Sequence, residues 1–293
     1  SRWSRGLGDV YKRQCQALIC TTRVAYLGPE FSYSHLAAIE QYGQSSHLLP
    51  VAAISAVFEA VHRGDVQFGI VPIENSTDGR IVDTLEMFTR SPVCICGEVQ
   101  MRIHHCLLGK CALPEIREVH SKPQALSQCR QWLSTQLPNV RTVATTSTTA
   151  AAQNAASQRG VAAIASQQAG VNYGLSVLAA SIEDNPDNVT PFAVIGLAPS
   201  DRTGRDKTSL LFELAHQPGA LADVMAIFNR HRLNLTWIES FPKKGSQNEY
   251  LFFVEFEGHP QDLVVRKAIR ALDRKTVSIR ILGSYARMQP VGG

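Results

Sequence analysis

Five loops of this sequence place hydroxyl, amide and charged side chains at the ends of apolar runs, a pattern suited to holding a small anion. The densest is VPIENSTDGRIVDTL (71–85), where Asn75, Ser76 and Thr77 stand between an apolar run and a helical pattern. At the C-terminal end of a strand in an α/β sheet, such a loop lies where ligands bind, and backbone N–H groups at the next helix start attract negative charge. EVHSKPQALSQC (118–129) sets His120, Ser121 and Lys122 before Pro123, which suits a first helical turn. ATTSTTAAAQNAA (144–156) is a hydroxyl cluster ahead of an Ala-rich helix, and YLGPEFSYSH (26–35) is a polar loop after a strand. In NPDNVTPF (185–192), Pro191 biases Thr190 toward an extended backbone, and a β-branched side chain there presents its hydroxyl in few orientations. A hydroxyl at its free pKa is a poor acid, so proton donation from Thr190 requires help from neighbours. The same residue types also cap helices and close turns, so spacing alone leaves capping and binding both open.

The elements that must position these loops alternate along the first two thirds of the chain. Apolar runs at 23–28, 68–74, 161–165 and 192–198 read as strands, and 93–109 reads as one long β-rich stretch. Residues 34–43, 81–90, 123–136, 146–158 and 166–172 read as helices. Alternation of this kind predicts an α/β domain over 23–198 with a mostly parallel sheet. APSDRTGRD (198–206) is polar and carries Pro and Gly, so 199–206 is the expected linker. Residues 207–287 then read β-α-β-β-α-β, the ferredoxin-like arrangement. That arrangement leaves one sheet face under two helices and the other free to pair or bind.

Composition narrows the function classes. The net charge of +4 comes from scattered Lys and Arg, whereas a nucleic-acid surface needs them clustered on one face. No apolar run approaches the roughly 18 residues of a membrane span. The seven Cys are odd in number, and Cys94-Ile-Cys96 has one intervening residue rather than the two of a redox or zinc pair. Reduced thiols in a cytoplasmic protein are therefore expected. His104 and His105 are adjacent, hence divergent on any regular element, and no metal site is expected. Residues 1–22 do not continue the pattern: SRWSRGLGDVYKRQ is basic, lacks an apolar period, and reads as translated adapter sequence or a disordered tail.

In this order the motifs resemble the prephenate dehydratase family, specifically the dehydratase and regulatory portion of the bacterial chorismate mutase–prephenate dehydratase proteins. The resemblance rests on Tyr26-Leu27-Gly28-Pro29 with Ser34-His35, Pro72 to Gly79, Ile103 to Leu108, His120 to Gln124, Ser147-Thr148, and Asn188-Val189-Thr190 with Phe192. Further on, Gly219-Ala220-Leu221 and Glu239-Ser240 with Pro242 resemble the ligand motifs of an ACT domain. It implies a two-lobed dehydratase domain like a periplasmic binding protein, followed by a βαββαβ ACT domain. The implied reaction is decarboxylating dehydration of prephenate to phenylpyruvate without a cofactor, with L-phenylalanine as effector and a homodimer or homotetramer as the assembly. Thr190 would be catalytic. Asn75, Ser76, Thr77, Ser121, Gln124, Ser147 and Thr148 would hold the substrate, with Phe192 beside its ring. Gly219, Ala220, Leu221, Glu239 and Ser240 would hold the effector. The family's Thr-Arg-Phe is here Thr190-Pro191-Phe192, which removes a cation and a backbone N–H, so Lys122 or Arg80 would have to supply the charge. Its Glu-Ser-Arg-Pro is here Glu239-Ser240-Phe241-Pro242. A catalytically weakened phenylalanine- or prephenate-binding protein and an arogenate dehydratase are the alternative readings.

Overall fold

The structure, a computed structural model, describes residues 22–75, 79–80, 82–243 and 249–288. The expectation for 1–22 thus lies outside the described residues except at Thr22. The chain begins with β1 (Arg23–Leu27), α1 (Tyr33–Tyr42), β2 (His47–Val51), α2 (Ile54–Arg63) and β3 (Phe68–Pro72). The short pair β4 (Glu74–Asn75) and β5 (Gly79–Arg80) leads to α3 (Val82–Arg90) and β6 (Cys94–Arg102). A second lobe holds β7 (Cys106–Gly109), β8 (Glu118–Ser121), α4 (Pro123–Gln128), α5 (Arg130–Gln136), β9 (Arg141–Ala144), α6 (Thr148–Ser157), β10 (Val161–Ala165), α7 (Gln167–Asn172) and β11 (Ser176–Ala179). The chain returns to the first lobe as β12 (Val189–Gly196).

The two lobes share one topology. The first sheet runs β2-β1-β3-β12-β6 and the second β9-β8-β10-β7-β11. In each, the strand next to the last is delivered by a crossing from the other lobe and runs antiparallel to both neighbours. The sheets are therefore mixed, where sequence predicts mostly parallel ones. The stretch 93–109 is not one strand. β6 and β7 belong to different sheets, and residues 103–105 between them carry the chain across. Residues 123–136 likewise divide at Cys129 into α4 and α5. Strands such as β10, buried along its whole length, are covered by helices on both faces. On α2, Ile54, Val57, Phe58 and Val61 make the i, i+3, i+4, i+7 stripe that faces the core.

The C-terminal region forms β13 (Asp206–Glu213), α8 (Ala220–Arg230), β14 (Leu235–Pro242), β15 (Tyr250–Glu257), α9 (Leu263–Asp273) and β16 (Ser278–Ala286), in the antiparallel order β14-β15-β13-β16. Val224, Phe228, Val265 and Leu272 of the two helices cover one face. The other face is not free, as the sequence suggested. Leu211, Phe253, Leu282 and Tyr285 share a core with Phe58, Phe88 and Ile95 of the first lobe. Gly283 lies so close to β6 that a Cβ there would collide with the Ile95 carbonyl. Burying a sheet face against the preceding domain removes apolar area from water that would otherwise need a partner.

That junction also holds a buried ion cluster. Lys207 Nζ lies 2.5 Å from Glu98 Oε2 on β6 and 3.3 Å from Glu255 Oε2 on β15. Tyr285 donates its hydroxyl to Glu255 Oε1 at 2.7 Å, and the Met288 N–H donates to Glu98 Oε1 at 2.9 Å. Burial disfavours the Lys207 charge, but Glu255 and Glu98 more than offset it and hold the ammonium above the usual lysine range. Lys207→Met would leave two carboxylates buried without a counter-charge. We expect a loss of about 3–5 kcal/mol in stability, read as a lower chemical-denaturation midpoint; an unchanged midpoint would show that the cluster is not holding the junction.

Candidate active site

A cleft of about 330 Å³ opens between the two lobes. On its first wall, Thr190 and Phe192 of β12 share a face of the sheet by strand alternation and line the cleft beside Leu27 and Pro72. Phe192 is buried against Tyr26, Val99 and Met101. Thr190 is half-buried, and no described residue hydrogen-bonds its hydroxyl. The loop after β3 runs alongside. The Ile73 N–H donates to the Pro191 carbonyl at 3.1 Å, Thr84 of α3 donates to the Pro72 carbonyl at 2.7 Å, and β4 packs beside β12. The β4 strand, which ends at Asn75, thereby runs alongside β12. The side chain of Asn75 lies outside the described part, as do residues Ser76 and Thr77.

Pro191, in place of an arginine, points its side chain to the sheet face opposite Thr190. Its backbone faces Ile73 rather than β6, so the missing N–H interrupts no bond of the β12–β6 ladder. Among the described side chains the cation on the cleft surface is Lys122, which precedes Pro123 at the start of α4, while the side chain of Arg80 lies outside the described part.

The second wall brings Gln124, Ser147 and Thr148 to the cleft but not Ser121. Ser121 is fully buried and donates its hydroxyl to the Ile164 carbonyl at 2.6 Å, tying β8 to β10. Ser147 caps α6, its Oγ accepting the Ala150 N–H at 3.0 Å. Sequence reasoning missed Gln128. It stands one helical turn beyond Gln124 on the same side of α4, and that i, i+4 spacing was the available signal.

Tyr33 and His105 were also missed, because their partners come from distant segments. His105 sits in the crossing after β6, almost fully buried and at the edge of the cleft. Its Nε2 lies 2.7 Å from Gln128 Oε1 and its Nδ1 3.0 Å from the Tyr33 hydroxyl. Its backbone N–H donates to Glu183 Oε2 at 2.8 Å, while Glu183 Oε1 bonds His104 Nδ1 at 2.8 Å. Burial pushes the His105 pKa below the usual imidazole value and that of the Tyr33 hydroxyl well above the phenol value. A neutral imidazole and an un-ionised phenol therefore stand at the cleft at neutral pH.

A larger cavity, about 390 Å³, lies at the junction with the C-terminal sheet, and two of the three cations that line it, Lys243 and Arg280 but not Arg90, are engaged by described partners. Arg280 donates to the Phe88 and Val93 carbonyls, and Lys243 pairs with Glu213 and Glu249. Among the residues expected to hold an effector, Ala220 and Leu221 line a small hollow of about 150 Å³ with Tyr250 and Phe252. Gly219 supplies the left-handed N-cap of α8, at φ 83°. Ser240 pairs with Phe252 on the neighbouring strand, and alternation turns Glu239 to the opposite face. Phe241, where the family pattern has arginine, is 2% exposed and packs in the core between the C-terminal sheet and the first lobe.

Residues 24–200 match the family described as Prephenate dehydratase, and residues 208–274 the ACT domain. The chain belongs to the prephenate dehydratase family. A bifunctional chorismate mutase/prephenate dehydratase of Stutzerimonas stutzeri is 42% identical over 275 residues, covering 93% of this chain and 75% of that protein. The prephenate dehydratase of Mycolicibacterium vanbaalenii is 35% identical over 288 residues, covering 92% of each. Among solved structures, the Arthrobacter aurescens prephenate dehydratase in complex with L-Phe superposes with a TM-score of 0.84 at 33% identity, covering 92% of each chain. A protein described as GqqA, a novel type of quorum quenching acylase, has a TM-score of 0.81 at 28% identity, covering 91% of this chain and 98% of that one. A dianionic substrate bound in this cleft would meet Lys122 on its wall, which leads to a direct expectation. Lys122→Met should raise KM for prephenate by about tenfold or more, the worth of one charge-assisted hydrogen bond, with kcat less affected; an unchanged KM would remove Lys122 from substrate binding.

Proposed function

We propose that the interlobe cleft binds prephenate and converts it to phenylpyruvate, with Thr190 as the proton donor. The observation that carries this reading is the placement of Thr190. A rigid hydroxyl without a hydrogen-bond partner among the described residues faces a cleft whose other wall bears Lys122, Gln124, Gln128 and the N-terminus of α6. The ring C–CO2 bond breaks and its electron pair aromatises the ring, expelling the C4 oxygen. That oxygen takes a proton from Thr190, directly or through a water, and leaves as water, and the alkoxide is reprotonated from solvent. Aromatisation supplies the driving force, so the protein contributes orientation and help for the leaving group. Phe192 packs beside the ring, and Gln124, Ser147 and Thr148 hold the carboxylates together with the Asn75–Thr77 stretch. Ser121 acts from behind, by holding β8 against β10.

In this reading the dehydratase domain spans 23–198, the linker 199–206 and the ACT domain 207–287. L-phenylalanine binds the ACT domain near Gly219, Ala220, Leu221 and Ser240, as suggested by the L-Phe complex of the Arthrobacter protein. A second copy pairs along β14, an edge strand that carries the exposed Ile238. A cytoplasmic location agrees with five free cysteines among the described residues, and no helix of the described residues is long and apolar enough to cross a membrane. Acyl hydrolysis, the activity ascribed to GqqA, is disfavoured. A hydroxyl nucleophile needs an adjacent base, and both ring nitrogens of His105 face Tyr33 and Gln128 instead.

Wild-type chain incubated with prephenate should release phenylpyruvate, followed by its absorbance in base, and Thr190→Ala should lower kcat roughly 10²-fold or more. Full turnover in the variant would remove Thr190 from the proton transfer. L-phenylalanine at about 100 times its Kd should raise Tm by roughly 5 °C or more; no shift at millimolar ligand would remove the effector site.

A further inference from the structure

Building on the prephenate reading of the cleft, we propose that the first turn of α1, with the Ser34 hydroxyl, binds the ring carboxylate that leaves as CO2. Lys122 and the first turn of α6 then hold the side-chain carboxylate that stays. α1 runs for ten residues from Tyr33, and Ser32 is its N-cap. Ser32 Oγ accepts the His35 N–H, and the Ser32 carbonyl accepts the Leu36 N–H. The Tyr33 and Ser34 N–H groups have no acceptor among the described residues. Ser32, Tyr33 and Ser34 all line the cleft, so the positive end of this helix opens onto it. A side chain makes the same point independently. Ser34 is 7% exposed and lines the cleft, and its hydroxyl has no hydrogen-bond partner among the described residues. Its open side is the cleft, where a bound oxyanion would accept its proton.

A second helix start faces the same space. Thr149, in the first turn of α6, donates its hydroxyl to the Glu30 carbonyl at 3.1 Å, and Ser166 donates to the Phe31 carbonyl at 3.3 Å. The loop that leads into α1 is thereby held against the second lobe, and the two helices approach one cleft from opposite lobes. Their surroundings differ in charge. The described first-lobe residues that line the cleft carry no charged side chain, whereas the second wall has Lys122.

That difference sorts the two carboxylates. The ring carboxylate loses its charge as its C–C bond breaks, so a full counter-charge held on it would stabilise the ground state more than the transition state. Neutral donors can instead orient it. The breaking bond then lies along the ring π system, and its electron pair enters the ring as the C4 oxygen departs. The side-chain carboxylate is charged in substrate, transition state and product alike, so an ammonium beside it costs no rate.

The test combines steady-state kinetics on prephenate with calorimetric titration of phenylpyruvate, which keeps the side-chain carboxylate and lacks the ring one. Ser34→Ala should raise KM for prephenate about tenfold, the worth of a hydrogen bond to a charged group, without lowering kcat. It should leave the phenylpyruvate Kd unchanged, whereas Lys122→Met should weaken the binding of both. Ser34→Asp puts a carboxylate at a helix start that favours one, so the chain should keep its Tm while KM rises further than in Ser34→Ala. An unchanged KM in Ser34→Ala, a phenylpyruvate Kd that rises with KM, a lower kcat, or no binding of phenylpyruvate by the wild type would each overturn the proposal. Absence of prephenate turnover by the wild type would refute the functional reading instead. Calorimetry with prephenate itself would then decide the subsite: weaker binding by Ser34→Ala upholds it, and equal binding or none overturns it.

Discussion

One buried carboxylate holds together the two places where the chain passes between its lobes. Glu183, on the return path, bonds the side chain of His104 and the backbone of His105 on the outward path. The two paths are sewn further by Ile103 N–H to the Asn188 carbonyl and Ile182 N–H to the His105 carbonyl, each 2.9 Å. A buried carboxylate without donors is costly, so this junction has few alternatives in register. Everything at the cleft inherits that register: β12 is delivered beside β3 with Thr190 and Phe192 on the cleft side, and the imidazole of His105 is set between Tyr33 and Gln128. Two further ties, Thr149 to the Glu30 carbonyl at 3.1 Å and Ser166 to the Phe31 carbonyl at 3.3 Å, hold the first polar loop against the second lobe.

The C-terminal sheet is built into the first lobe rather than tethered to it. A core shared with α2 and α3, the Lys207 cluster and the close approach of Gly283 to Ile95 make one continuous contact. Arg280 of β16 bonds the carbonyl of Phe88, in the last turn of α3, and that of Val93 beyond it. Cations at a helix C-terminus satisfy its unpaired carbonyls. The same helix is tied by Thr84 to the carbonyl of Pro72, which lines the cleft, so α3 physically joins the cleft to the C-terminal sheet.

Both departures from the family pattern have a local physical account. At 191, the side chain is on the far face of the strand and the backbone faces Ile73, so proline leaves Thr190 and the β12–β6 hydrogen bonds undisturbed and gives up only an N–H on the Ile73 side. At 241, the position faces the first lobe, and an apolar ring fills a site that a guanidinium would occupy only with partners.

The sequence by itself determined the types of most elements, though not the strand and helix at 47–63 or the strands at 118–121, 141–144 and 176–179, together with the change from an α/β to a βαββαβ pattern near 206 and the polar loops that line the cleft. Those follow from local rules: periodicity, Gly and Pro punctuation, and the residues that start helices. Motif order also singled out Thr190, Phe192, Gln124, Ser147 and Thr148, all of which reach the cleft. Only the tertiary structure decided that 93–109 breaks into strands of two different sheets, that Ser121 turns inward, and that the second face of the C-terminal sheet is covered. It alone revealed Tyr33, His105 and Gln128 as a set. Their meeting depends on contacts between residues 23 and 72 positions apart along the chain. A buried polar network is defined by donors and acceptors that converge in space, and no local pattern of residue types records that convergence.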